Sequence, residues 1–296
     1  MIQIGHLSKR YASTLALDDL SFTVSPGNVT GFLGPNGAGK TTTFRILLGL
    51  ASPTSGAALV NGRRYHDIPH PLFEVGALLD ATAIDGGRTA LDHLRWLARS
   101  HRIGDGRVRD EIERAGLAGV ADTRVAAFSL GMKQRLGIAA AMLGDPATLV
   151  LDEPVNGLDP EGVRWIRGLL RSLAAEGRTI LVSSHLMSEM AITADRLVVI
   201  SRGRLVAEAA TSDLTEMRQG ARVRTARPAE LAQELVGHGG TVSHEPDGLL
   251  IVHGLDPQVV GSVAADALIP LTELSPIESS LEDAYMSLVA GELERA

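Results

Sequence analysis

Residues 31–43 read GFLGPNGAGKTTT. Gly34, Gly39, Lys40 and Thr41 fill the pattern G-x-x-x-x-G-K-[ST], which surrounds the phosphates of a nucleoside triphosphate with main-chain N–H groups. The motif constrains the fold because it works only between a strand and a helix. The glycines let the backbone close round the anion, and the helix N-terminus adds bare amides and the positive end of its dipole. The flanks meet that demand. Val29–Leu33 is a short apolar run, and Gly39–Leu50 places Phe44, Ile46, Leu47, Leu48 and Leu50 at helical spacing. The predicted cradle is Gly34, Pro35, Asn36, Gly37, Ala38, Gly39, Lys40, Thr41 and Thr42. In it Lys40 serves the β- and γ-phosphates, Thr41 a Mg²⁺ ion and Thr42 the α-phosphate region. The only lysines are Lys9, Lys40 and Lys133, so a lysine at that position is not an accident of composition.

A second acidic motif follows at a distance. TLVLDEP, residues 148–154, is a short apolar run ending in Asp152 and Glu153. Ligands of open α/β sheets sit at the carboxyl ends of the strands. Asp152 is therefore a candidate to hold Mg²⁺, and Glu153 to orient and polarise the attacking water. Strand patterns at 178–183 and 196–200 alternate with helical ones at 161–175 and 186–191, which predicts an α/β fold with a mostly parallel sheet covered on both faces. Residues 85–144 look helical instead, with segments at 89–100, 107–115 and 129–143. After Arg218 the order of short elements is β-α-β-β-α-β: strands at 223–226, 241–244, 249–252 and 271–274, helices at 229–236 and 257–267. A linker is expected near 212–221 and a last helix over 277–290.

FSLGMKQRLGIA, residues 128–139, opens a helix just before the acidic strand. Ser129, Gly131 and the helix amides form a second phosphate-binding end. One glycine loop already saturates one nucleotide, so this end suits the nucleotide of a facing subunit. With these marks in order, the chain resembles the nucleotide-binding subunit of an ATP-binding cassette (ABC) transporter, of the bacterial drug and antibiotic efflux type. That family's signature LSGGQ aligns with Phe128, Ser129, Leu130, Gly131 and Met132, from which Leu130 and Met132 depart.

The resemblance implies a RecA-like P-loop NTPase core with an antiparallel β subdomain and a helical insertion, spanning 1–215, followed by a small ferredoxin-like α+β domain over 222–296. It implies ATP and Mg²⁺ as ligands, with Tyr11 stacking on adenine. Asn156, Gly157, Leu158 and Asp159 match the loop that crosses the dimer interface. His185 matches the switch histidine near the γ-phosphate, although its position also suits a cap for the helix of 186–191. Asp80 stands where the family usually has Gln; it either binds Mg²⁺ or water there or only starts the loop ATAIDGG.

The implied partners are a second copy of the chain and a polytopic permease. A soluble ABC ATPase of the ribosome or DNA is the alternative. Ribosomal members usually carry two cassettes, and chromosome-associated members need a long coiled coil that the span 42–128 has no room for. No nucleic-acid partner is expected from a net charge of −7 without a run of basic residues. The absence of cysteine removes disulfides and thiolate zinc sites. No apolar run approaches the roughly 20 residues that span a bilayer, and the N-terminus lacks the order of a signal peptide. The expected place is the cytoplasm, peripheral on the inner face of the membrane through the permease, without direct insertion.

Overall fold

The computed structural model describes residues 1–216, 220–245 and 248–277. The chain divides into two compact units, Met1–Glu208 and Ala209–Ala296.

The first unit is organised round a six-stranded sheet of order β5-β6-β7-β3-β8-β9. Its strands are β3 (Val29–Leu33), β5 (Val75–Leu78), β6 (Thr148–Leu151), β7 (Thr179–Ser184), β8 (Arg196–Ser201) and β9 (Arg204–Ala210). The pairs β5–β6, β6–β7, β7–β3 and β3–β8 are parallel. Every residue of β3, β6 and β7 is buried, which is why these segments lack the alternation of a half-exposed strand.

A second, three-stranded antiparallel sheet of order β2-β1-β4 joins β1 (Ile2–Tyr11), β2 (Thr14–Val24) and β4 (Ser55–Val60). Both sheets share one core. Phe22 of β2, Phe32 of β3 and Phe44 of α1 (Lys40–Leu47) form a row of rings with centroids 5.1 and 5.7 Å apart. That row fixes α1 against the sheet, and with it the glycine loop between β3 and α1.

The helical region packs α3 (Ala90–Ser100), α4 (Asp105–Arg114) and α5 (Leu130–Met142) round Leu94, Val108, Ile112, Phe128 and Leu136. Asp145, just past α5, ties it to the sheet: it pairs with Arg107 of α4 at 3.2 Å and with Arg178, just ahead of β7, at 2.9 Å. The remaining helices of this unit are α2 (Pro71–Glu74), α6 (Pro160–Ala175) and α7 (Met187–Thr193).

The second unit opens with α8 (Thr211–Glu216), where the sequence reading expected a linker. Thr211, Ser212 and Asp213 are helix-starting residues, and Asp213 lies in the first turn, where a carboxylate meets the positive end of the dipole. The chain then runs β10 (Gly220–Thr225), α9 (Pro228–Gly237), β11 (Thr241–His244), β12 (Leu250–His253), α10 (Pro257–Asp266) and β13 (Leu271–Ile277). Its sheet has the order β11-β12-β10-β13, antiparallel throughout. Val223, Leu231, Leu235, Leu250, Val252 and Val260 form its core. The predicted final helix lies outside the described residues, except for Ile277, the last residue of β13.

Candidate nucleotide site

The glycine loop bends over the carboxyl ends of β3 and β6. Gly39 caps α1 at φ +110° with no side-chain cap bond. An added Cβ would lie 2.5 Å from Leu17 Cδ2 and 2.9 Å from the Ala16 carbonyl, so only glycine closes this turn. The loop and the acidic pair enclose a cleft of about 220 Å³, lined by Pro35, Asn36, Gly37, Gly39, Lys40, Thr41, Thr42, Asp152 and Glu153 together with Ala16.

Inside the cleft the charged groups are tied to one another. Lys40 is only 7% exposed. Its ammonium donates to the Gly34 carbonyl at 2.6 Å and stands 3.8 Å from Glu153 Oε1. Burial pushes the Lys40 pKa down, against the upward pull of the Glu153 and Asp152 carboxylates. The Thr41 hydroxyl donates to Asp152 Oδ2 at 2.7 Å, and the hydroxyl of Ser183 donates to Asp152 Oδ1. Glu153 is 24% exposed and faces the cleft with its Oε2 2.7 Å from His185 Nδ1. His185 is not the cap of α7: Leu186 holds that place. The histidine ring goes to Glu153 instead.

The signature segment lies apart from this cleft. Ser129 caps α5, its Oγ accepting from Met132 N at 3.2 Å. Ser129, Gly131, Met132 and Arg135 face Gly157, Leu158 and Asp159 across a hollow of about 570 Å³. Asp159 caps α6 through Gly162 N at 2.7 Å. Leu130, one of the two departures from the family pattern, packs on Gly157, where an added Cβ would come within 2.2 Å of Leu130 Cδ2.

Tyr11 and Asp80 line neither the cleft nor the hollow. Tyr11 is 45% exposed at the end of β1, with Lys9 Nζ 4.6 Å above its ring. Asp80 spends its Oδ1 on a local turn, accepting from Thr82 N at 2.7 Å and Thr82 Oγ1 at 2.6 Å. Those two bonds hold its carboxyl below the usual aspartate value. Two residues that the sequence reading passed over take part. Ser183 contacts both acidic residues, and buried Gln134 donates to the carbonyls of Glu153 and Asn156, each at 3.4 Å. Ser183 was hidden inside a strand pattern, and Gln134 inside a helix.

A glycine loop closing over a buried lysine, with an acidic pair at the end of β6, one strand removed from β3 in the sheet, defines a nucleoside triphosphatase of the P-loop class. The sequence profile of the ABC transporter family matches residues 17–156, and a domain of unknown function (DUF8746) matches 219–282. The bacitracin transport ATP-binding protein BcrA of Enterococcus faecalis is 33% identical over 300 residues, covering 98% of this chain and 97% of that protein. The Nod factor export ATP-binding protein I of Burkholderia lata is 39% identical over 245 residues, covering 79% of this chain and 80% of that protein. The solved structure of an ATP-binding subunit of an ABC transporter superposes with a TM-score of 0.66 at 28% identity, covering 72% of this chain and 91% of that one. The chain belongs to the ATP-binding proteins of ABC transporters.

Proposed function

We propose that this ATPase drives export through a separate polytopic permease, working as a head-to-tail pair of copies. The observation that carries the reading is the linked set Lys40–Glu153–His185 and Thr41–Asp152 under the glycine loop. Support for export comes from the bacitracin-transport and Nod-factor-export relatives. No helix among the described residues is long and apolar enough to cross a membrane, so the translocation path is assigned to a partner.

In this reading the amides of residues 34–41 and the Lys40 ammonium hold the phosphates, exchanging the Gly34 carbonyl for phosphate oxygen. Thr41 Oγ1 and Asp152 Oδ2 are adjacent hard oxygen donors, the kind that suits Mg²⁺ when phosphates and water complete its shell. The ion would supply charge neutralisation at the β- and γ-phosphates. Glu153 orients the attacking water and takes its proton as the water oxygen bonds to the γ-phosphorus, while the bond from that phosphorus to the β–γ bridging oxygen breaks and ADP leaves with the electron pair. His185 holds the second oxygen of that carboxylate and so fixes its direction. Tyr11 offers its exposed ring to the adenine. Ser129 and Gly131, with Asp159 beside them, meet the nucleotide bound by the facing copy. Asp80 is assigned to its own loop, on the segment the permease would touch.

The test is a pull-down from source-cell membranes with tagged Glu153→Gln and ATP, which should hold the pair closed. A polytopic membrane protein in near-equal amount is expected. Recovery with ribosomes or DNA-bound proteins instead would overturn the transport reading.

A further inference from the structure

The acidic turn leaves the sheet abruptly. The last paired residues of β6 and β7 are Leu151 and Val182. One residue on, Asp152 N donates sideways to Leu78 O at 2.7 Å, and Glu153 then turns at φ +48°. A residue with a Cβ enters that left-handed region only when its surroundings hold it there. The turn also takes Glu153 N out of reach of a strand carbonyl. A buried N–H needs an acceptor.

Ser183 supplies it. This residue is fully buried near the end of β7. Its hydroxyl does two things at once: it accepts from Glu153 N at 2.9 Å and donates to Asp152 Oδ1. One oxygen atom thus links the main chain of Glu153 to the side chain of Asp152. On the opposite side of the Glu153 peptide, Gln134 donates to its carbonyl at 3.4 Å.

We propose that Ser183 is a positioning residue for hydrolysis: its hydroxyl holds the Glu153 peptide in the left-handed turn and fixes the Asp152 carboxylate relative to it. Ser183 does not itself line the cleft but touches two residues that do. It acts by setting where the Glu153 carboxylate points. The proposal rests on the reading of Glu153 as the group that orients the attacking water. Groups of this kind behind a reacting shell change activity by about 10–100-fold when removed.

The test compares Ser183→Thr with Ser183→Val, which share a shape and differ in the hydroxyl. Ser183→Ala against wild type carries the same contrast if the extra methyl is not accommodated. Steady-state ATPase rates are measured alongside the affinity of a fluorescent ATP analogue in EDTA. Ser183→Val and Ser183→Ala should lower kcat about 10–100-fold while the analogue binds within about twofold of wild type, and Ser183→Thr should recover most of the rate. In a Glu153→Gln background, Ser183→Ala should cost clearly less than in wild type, because one of the two groups it holds is already gone. Wild-type kcat in Ser183→Ala overturns the proposal, as do an equal loss in both backgrounds, a parallel loss of analogue binding, or failure of every Ser183 variant to fold. Glu153→Gln alone separates the two levels. If it turns over normally, the role of Glu153 falls and Ser183 with it; if it is inactive while Ser183→Ala is normal, only the positioning role falls.

Discussion

The two helix N-termini aimed at phosphate, those of α1 and α5, are built differently. α1 begins at Gly39 with no side chain on its cap, so its first amides face the cleft. α5 begins at Ser129, whose own Oγ takes Met132 N at 3.2 Å. The first end is prepared for a ligand within one chain. The second satisfies itself, and in the proposed pair a phosphate from a facing copy must compete with a bond already made. Under that proposal the contrast assigns nucleotide affinity to α1 and makes α5 a conditional contact.

The most severe way to break the contrast is to remove the charge that α1 presents. Lys40→Ala should lower nucleotide affinity and turnover by at least about 100-fold, measured by analogue binding and ATPase rate, since among the described residues the buried ammonium is the one cation in the cleft lining. Unchanged affinity would mean that the loop amides alone hold the phosphates.

Ser129→Ala probes the other end. It deletes the cap bond, which should cost about 1 kcal/mol in a denaturation midpoint, and it should lower turnover by about tenfold. Analogue affinity of the single chain should stay within about twofold. A fall in single-chain affinity equal to that of Lys40→Ala would erase the distinction between the ends.

Gly157→Ala sharpens the comparison from a neighbouring loop. Its φ is +76° and the new Cβ would meet Leu130 at 2.2 Å. The expected destabilisation is about 1–3 kcal/mol. Part of it should return in the double variant with Leu130→Ala, which removes the clashing carbons, while the positive-φ cost remains. Full additivity would show that the two side chains do not share this space in solution.

How far these features could be read in advance follows from their range along the chain. The glycine loop, the acidic pair and Ser129 are local patterns: each motif and its flanking strand or helix lie within about a dozen residues. The pairing of β1 was not legible in the same way. Its ladder with β2 shifts register between Ile4 and Leu7, between Leu7 and Lys9 and between Lys9 and Arg10, so the alternation that marks a strand is broken. Ser183 and Gln134 were hidden for another reason. Both are polar residues inside otherwise well-packed elements, and only the three-dimensional crossing of β7 and α5 behind Glu153 gives them partners. Asp80 shows the reverse case: the family position suggests either a ligand of Mg²⁺ or water or a loop start, and one carboxylate oxygen, Oδ1, is engaged two residues along the chain.

Asp80 accordingly gives the smallest expected effect and a control that belongs to neither helix end. Asp80→Asn should leave the ATPase rate and Mg²⁺ dependence of the isolated protein within about twofold, because the substitution alters a loop turn outside the cleft. Its signature lies in pH. The Thr82 bonds hold the folded-state pKa of Asp80 below its ordinary value. The wild-type carboxylate therefore adds stability above the ordinary aspartate range and loses it as pH falls through the lowered folded pKa. This exposed group should contribute little, and Asp80→Asn should remove even that small slope from the acid limb of a denaturation series. A shifted Mg²⁺ dependence with an unchanged acid limb would move Asp80 from the loop into the nucleotide site, joining it to the α1 side of the comparison.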